Sequence, residues 1–163
     1  HATLQALNSH IHIHTVPQQC HTVEQLLPLV QAADVVLDCS DNFTTRFALN
    51  RACVQARKPL VSGAAIRWEG QLAVFDSRHA HSPCYQCLYG DAGDTLETCE
   101  NSGIFGAVVG VIGALQAQEA LKNLLGLGNT LGQLTLYDAK TLQWRQLQAV
   151  RDVNCAVCGA NPM

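Results

Sequence analysis

The sequence has no basic run, no internal repeat and no low-complexity linker. Ten lysines and arginines face 13 aspartates and glutamates, for a formal net charge of −3. Nucleic-acid binding therefore has no electrostatic footprint. Charged residues make up only 14% and hydrophobic residues 48%, which excludes a disordered chain and predicts a globular, core-rich one. The longest strongly apolar stretch, Ile104 to Leu115, is broken by Gly106, Gly110 and Gly113. It is too short to span a membrane and is expected to be a buried helix. No basic stretch followed by an apolar one opens the chain, so no signal peptide is read and a cytoplasmic setting is expected. The first residue is His1, which predicts that the chain begins inside a longer protein. No Gly-x-Gly-x-x-Gly is present, so the usual phosphate-binding strand–turn–helix is missing.

Cysteine, by contrast, is abundant: eight in 163 residues. Without a secretion signal these do not read as a disulfide framework; metal ligation or thiol chemistry is the better expectation. Cys84-Tyr-Gln-Cys87 and Cys155-Ala-Val-Cys158 are two Cys-x-x-Cys pairs. Each spacing lets both thiolates reach one tetrahedral ion, and four sulfurs leave no position for a catalytic water. A structural Zn²⁺ site follows; a redox role for one pair is the competing reading. His10, His12 and His14 lie on one face of an alternating segment and form a weaker rival site, more in keeping with a solvated strand face.

The periodicities run β-α-β-α-β and then change. His10–Val16 alternates like a strand, and Thr22–Ala33 has helical spacing with Thr22 as cap, interrupted by Pro28. Val35–Leu37 is a short buried strand, Phe43–Arg57 a helix and Pro59–Ser62 a second short strand. Gly70–Phe75 reads as an antiparallel strand, 104–125 as a long helix, and Leu134–Tyr137 with Gln143–Leu147 as a hairpin. The expected fold is α/β: a mostly parallel, Rossmann-like sheet with an antiparallel C-terminal section and the four-cysteine zinc site.

Asp41 stands just past an apolar strand, where ligands gather in open α/β sheets. A carboxylate there can hold Mg²⁺ against nucleotide phosphates, with Asn42 adding a hydrogen bond. The plainer reading is that Asp41 or Asn42 caps the helix beginning at Phe43. Cys99 belongs to neither pair and precedes the long helix, whose N-terminal dipole favours a thiolate while Glu100 opposes it. It is either a nucleophile or an ordinary loop cysteine. Cys20, Cys39 and Cys53 are assigned to packing.

Asp38-Cys-Ser-Asp-Asn42, Pro59-Leu-Val-Ser-Gly-Ala-Ala-Ile66, Glu69-Gly-Gln71, Cys84-x-x-Cys87, Thr98-Cys99, Gly110-Val-Ile-Gly113, Tyr137-Asp138-Ala139 and Cys155-x-x-Cys158 occur in that order. Together they resemble the ThiF/MoeB/HesA family, relatives of ubiquitin-activating enzymes, over essentially the whole chain. The resemblance implies a single ThiF-type domain, of which residues 1–163 are the C-terminal part. It implies an adenylyltransferase that joins the C-terminal glycine of a small ubiquitin-fold sulfur-carrier protein to AMP from ATP, for molybdopterin or thiamine synthesis. It further implies Asp41 as the Mg²⁺–ATP carboxylate, Asn42 as a nucleotide contact, and Cys84, Cys87, Cys155 and Cys158 as zinc ligands. Cys99 matches a cysteine that links covalently to the carrier in some members. A homodimer and a sulfurtransferase or cysteine desulfurase are the other implied partners. The family's glycine-rich loop and the residues that hold the phosphates lie upstream of the matched region. This chain alone is therefore expected to hold ATP weakly, and an inactive, zinc-stabilised carrier-binding module is the alternative.

Overall fold

The computed structural model describes residues 1–90, 102–128 and 130–160. Cys99 and its neighbours Thr98 and Glu100 lie outside the described residues. The elements in chain order are α1 (Ala2–Leu7), α2 (Val23–Ala32), β1 (Val36–Asp38), α3 (Phe43–Ala56), β2 (Leu60–Ile66), β3 (Glu69–Phe75), α4 (Tyr85–Tyr89), α5 (Gly106–Leu124), β4 (Gln133–Asp138) and β5 (Gln143–Gln148). The strands form one sheet in the order β1-β2-β3-β4-β5. β1 and β2 are parallel, and β2–β3, β3–β4 and β4–β5 are antiparallel. The fold is α/β with an antiparallel C-terminal section, as expected, but the parallel part is a single pair among the described residues.

Alternation along β2 and β3 explains the layers. Leu60, Ala73 and Phe75 join Val30, Leu49, Ala52 and Cys53 in one cluster, under α2 and α3. Val61, Leu72 and Val74 point the other way and pack with Ala120 of α5. Side chains two apart share a face, so a strand apolar at every position must be covered on both sides. Leu134 of β4 still belongs to the first cluster, whereas all six residues of β5 are exposed.

Local chemistry sets the helix ends. Gln25 Oε1 accepts from the N–H groups of His21 and Thr22 and fixes the start of α2, which runs on through Pro28 instead of breaking there. Asn42 Oδ1 accepts from Thr45 N at 2.8 Å and caps α3. α3 stops at Arg57, which takes a left-handed conformation (φ 53°) two residues before Pro59. α5 ends before Gly126, whose φ is +65°.

Two expectations are corrected. His10–Val16 forms no strand, and His10, His12 and His14 are exposed. Alternation is necessary for a strand but the ladder bonds make it, and among the described residues this segment has no partner. The stretch from Ile104 is not a buried helix. Phe105 N donates to Arg67 O and Arg67 N to Gly103 O, which holds this segment extended up to Gly106. Beyond it only the Val108–Ile112–Gln116–Glu119 side of α5 is buried, while Val109 and Val111 are 48% and 36% exposed. Apolar composition does not say how many sides of a helix find cover. No helix among the described residues is long and apolar enough to cross a membrane.

Candidate functional site

β1 ends on Asp38, which is 1% exposed. Its Oδ1 accepts from Ser40 N at 3.0 Å and Ser40 Oγ at 2.6 Å, and its Oδ2 from Ser62 Oγ at 3.2 Å. This carboxylate folds the chain back over the strand end, so that Cys39, Ser40 and Asp41 form the rim of a cavity of about 180 Å³. Arg46, one turn into α3, supplies its cationic wall, and Gly63 and Gln116 line its floor. Arg46 Nη2 donates to Ser40 O at 2.5 Å. Burial opposes charge on this guanidinium, but Asp38 together with Tyr85 and Tyr89 overcomes it and holds Arg46 above its usual value.

Gln116 ties α5 to the strand ends. Its Nε2 donates to Asp38 O at 2.8 Å and Val61 O at 3.2 Å, and its Oε1 accepts from Cys39 Sγ at 3.7 Å. Close approach of α5 also depends on Gly70, where a Cβ would lie 2.6 Å from Ile112.

Asp41 is exposed at the rim, and its Oδ1 accepts from Asn42 Nδ2 at 3.1 Å. Among the described residues it has no cationic partner, which leaves the carboxylate available to a cation from solvent. Asn42 has two roles: its oxygen caps α3 and one amide N–H holds Asp41. Cys39 is exposed and lines the cavity, which corrects its assignment to packing. Partial burial of its sulfur against Gln116, and then Asp38, push the Cys39 thiol up. Cys53 is a core residue as expected, with a thiol pushed up to about 12 by burial and by Asp38.

The four-cysteine centre lies at the other end of α3. Cys84 caps α4, and Cys87 N donates to Cys84 O at 3.1 Å. Cys155 receives N–H donation from Val157 at its Sγ, at 3.5 Å, and from Gly159 at its carbonyl, at 2.8 Å. The sulfur separations are 3.9 Å for Cys84–Cys87, 3.7 Å for Cys84–Cys155 and 3.4 Å for Cys87–Cys158. A tetrahedral ion with metal–sulfur bonds of ~2.3 Å spaces its ligands ~3.8 Å apart, so the donor set fits a metal. All four ligand atoms lie within 4.8 Å of one another, and among the described residues they are the one such group. Burial pushes the Cys84 thiol up to about 11. At Cys155 the burial effect is overcome by backbone N–H donors, and the thiol is lowered. Arg151 ties the two segments together by donating to Ala80 O and Cys158 O.

The structure thus brings the four predicted cysteines together and sets Asp41 beside Asn42. Arg46 and Gln116 were not singled out from sequence. Their signals were an arginine one turn after a capping Asn42, and a glutamine inside an apolar helix.

An adenylyltransferase and sulfurtransferase MOCS3 from Drosophila virilis is 42% identical over 164 residues, covering 98% of this chain and 36% of that protein. The molybdopterin-synthase adenylyltransferase of Escherichia coli K12 is 44% identical over 157 residues, covering 96% of this chain and 62% of that protein. The chain therefore spans between about a third and two thirds of these relatives. A crystal structure of E. coli MccB with ATP has the same fold, with a TM-score of 0.80 at 19% identity over 97% of this chain and 48% of that one. Residues 1–157 match the ThiF family, and the chain belongs to that family.

Proposed function

We propose that this chain is part of an enzyme that adenylates the C-terminal glycine of a small ubiquitin-fold sulfur-carrier protein. The observation that carries the reading is Asp41: a carboxylate without a cationic partner among the described residues, just past the C-terminal end of a strand, on the rim of a cavity walled by Arg46. Relatives described as adenylyltransferases, at 42% and 44% identity, support it and favour molybdopterin over thiamine as the product served.

The carrier carboxylate attacks the α-phosphorus of ATP, a new P–O bond forms, and pyrophosphate leaves. Anion approaches anion, so charge must be neutralised. Mg²⁺ held by Asp41 would supply part of that neutralisation. Arg46 contributes fixed positive charge at the cavity wall. Asn42 orients Asp41 by its 3.1 Å hydrogen bond and has a second amide N–H for the nucleotide. Gln116 and Gly63 form an uncharged floor. The four cysteines would hold Zn²⁺ in a filled, structural coordination sphere. Cys99 is assigned the later sulfur-transfer step, because adenylation uses the carrier's own carboxylate and needs no protein thiol. A homodimer, and a sulfurtransferase or cysteine desulfurase as sulfur source, complete the proposed assembly. The cytoplasm is its proposed place.

The test is carrier-dependent ATP–pyrophosphate exchange in the full-length protein. Asp41→Ala should lower the rate about 100-fold. An unchanged rate would remove Asp41 from the mechanism, and carrier binding without exchange in the unaltered protein would favour a binding module.

A further inference from the structure

We infer that Arg46 is a positioning residue for Asp41, and that the four-cysteine centre holds Arg46 in place through Tyr85. The inference rests on Asp41 being the residue that meets the nucleotide. Asn42, Arg46, Asn50 and Val54 recur every four residues and so share one face of α3. Each makes one link in a line from the cavity to the cysteines. Asn42 caps the helix and holds Asp41. Arg46 donates to Ser40 O at 2.5 Å. Asn50 Oδ1 accepts from Tyr85 N at 3.0 Å. Val54 packs on Cys84, Cys155 and Cys158.

Tyr85 is the joint of this line. It follows Cys84 directly, so fixing that sulfur fixes the peptide that carries the ring. The ring is 2% exposed and stands edge-on to Phe47, with centroids 5.4 Å apart, and to Phe75, at 6.1 Å. Its hydroxyl is buried without a hydrogen-bond partner. Both residues border a void of about 10 Å³, together with Ser62, Gln71 and Tyr89. A guanidinium is a planar fork of five donors, and a fork held at two acceptors loses its rotational freedom. The Ser40 carbonyl in front is one acceptor, and the unpartnered phenol across the void is assigned as the second. The Ser40 carbonyl and the Asp41 N–H belong to one planar peptide, so the hold on Ser40 passes to Asp41.

The test is ¹⁵N NMR of the zinc-loaded chain. Tyr85→Phe removes the phenol oxygen and keeps the packing. It should shift the Arg46 Nε–Hε and Asp41 amide signals and speed exchange of the Asp41 amide by about 10-fold, with zinc content unchanged. Arg46→Lys, which keeps the charge but loses the fork, should reproduce the Asp41 change with Tyr85 intact. An unmoved Asp41 amide in both variants overturns the inference, and so does equal acceleration at all amides, which would mean general destabilisation. In the full-length enzyme, Tyr85→Phe should lower the kcat of pyrophosphate exchange about 10-fold more than it changes KM for ATP. Absence of exchange in the unaltered enzyme would sink the adenylation reading instead. The NMR coupling needs no nucleotide and would stand or fall separately.

Discussion

The side chain of Gln116 fills the place where a Cβ on Gly63 would stand: the added carbon would lie 2.2 Å from Gln116 Cδ. One hydrogen atom on β2 is thus the space in which α5 reaches the ends of β1 and β2. Gly63→Ala must expel the amide and break its bonds to Asp38 O and Val61 O. Urea unfolding should show a loss of about 2–3 kcal/mol. Gly63→Ala with Gln116→Ala should recover part of it, because the clash goes with the long side chain.

Purified without chelator, the protein should carry about one zinc per chain. Cys155→Ser should abolish that stoichiometry and lower the melting temperature. The sulfurs must be deprotonated to bind, so affinity should fall as pH drops. Metal-free protein that melts no lower than the loaded form would remove the structural role.

Asp76 closes β3 and is 0% exposed. It accepts from Arg78 Nε at 2.9 Å and from Arg78 Nη2 at 2.7 Å, and His79 Nε2 lies 3.6 Å away. Burial alone would raise this carboxyl, but the Arg78 hydrogen bonds and charge hold it below the usual range. A depressed folded value contributes stability above the unfolded value near 3.9 and loses it as pH falls through the folded one. Asp76→Asn should therefore cost about 2 kcal/mol at pH 7, with the gap to the parent narrowing below pH 4. A gap that stays constant into acid would exclude the ion pair as its cause.

Alkylation should separate the cysteines by burial. With zinc bound, Cys39, at the cavity rim, and half-buried Cys20 should react with iodoacetamide well before Cys53, whose thiol is buried at 2% exposure. Mass mapping of short digests reads the order. Reaction at Cys39 should also slow pyrophosphate exchange in the full-length enzyme, because the added group occupies the cavity.

Much of this was legible in sequence, and the exceptions share a cause. α2, α3 and the β4–β5 hairpin follow from spacing and turn residues, which act locally. The two Cys-x-x-Cys pairs were legible because ligand spacing is itself local, although their meeting is not. The segment from His10 to Val16 misled, because alternation says which side chains share a face and not whether a neighbouring strand exists. α5 misled in the same way, since its apolar residues outnumber those that the sheet covers. Gln116 was invisible because it matters through partners far along the chain, and Arg46 because its bond to the Ser40 carbonyl depends on how the strand end folds back. Gln116 bonds reach back 78 and 55 positions. Arg46 acts through the strand end and through Tyr85.

The sulfur contacts Cys84–Cys155 and Cys87–Cys158 each join residues 71 positions apart. α5 and the hairpin lie inside the interval they close. Once an ion is held there, a single peptide-bond cut within that interval would not release either piece. A nicked molecule would travel as one particle in gel filtration and separate into two bands only after denaturation with chelator. The same clasp makes the interval tolerant of being supplied in trans: two separately expressed pieces, divided anywhere between the cysteine pairs, would have a chelatable reason to find each other.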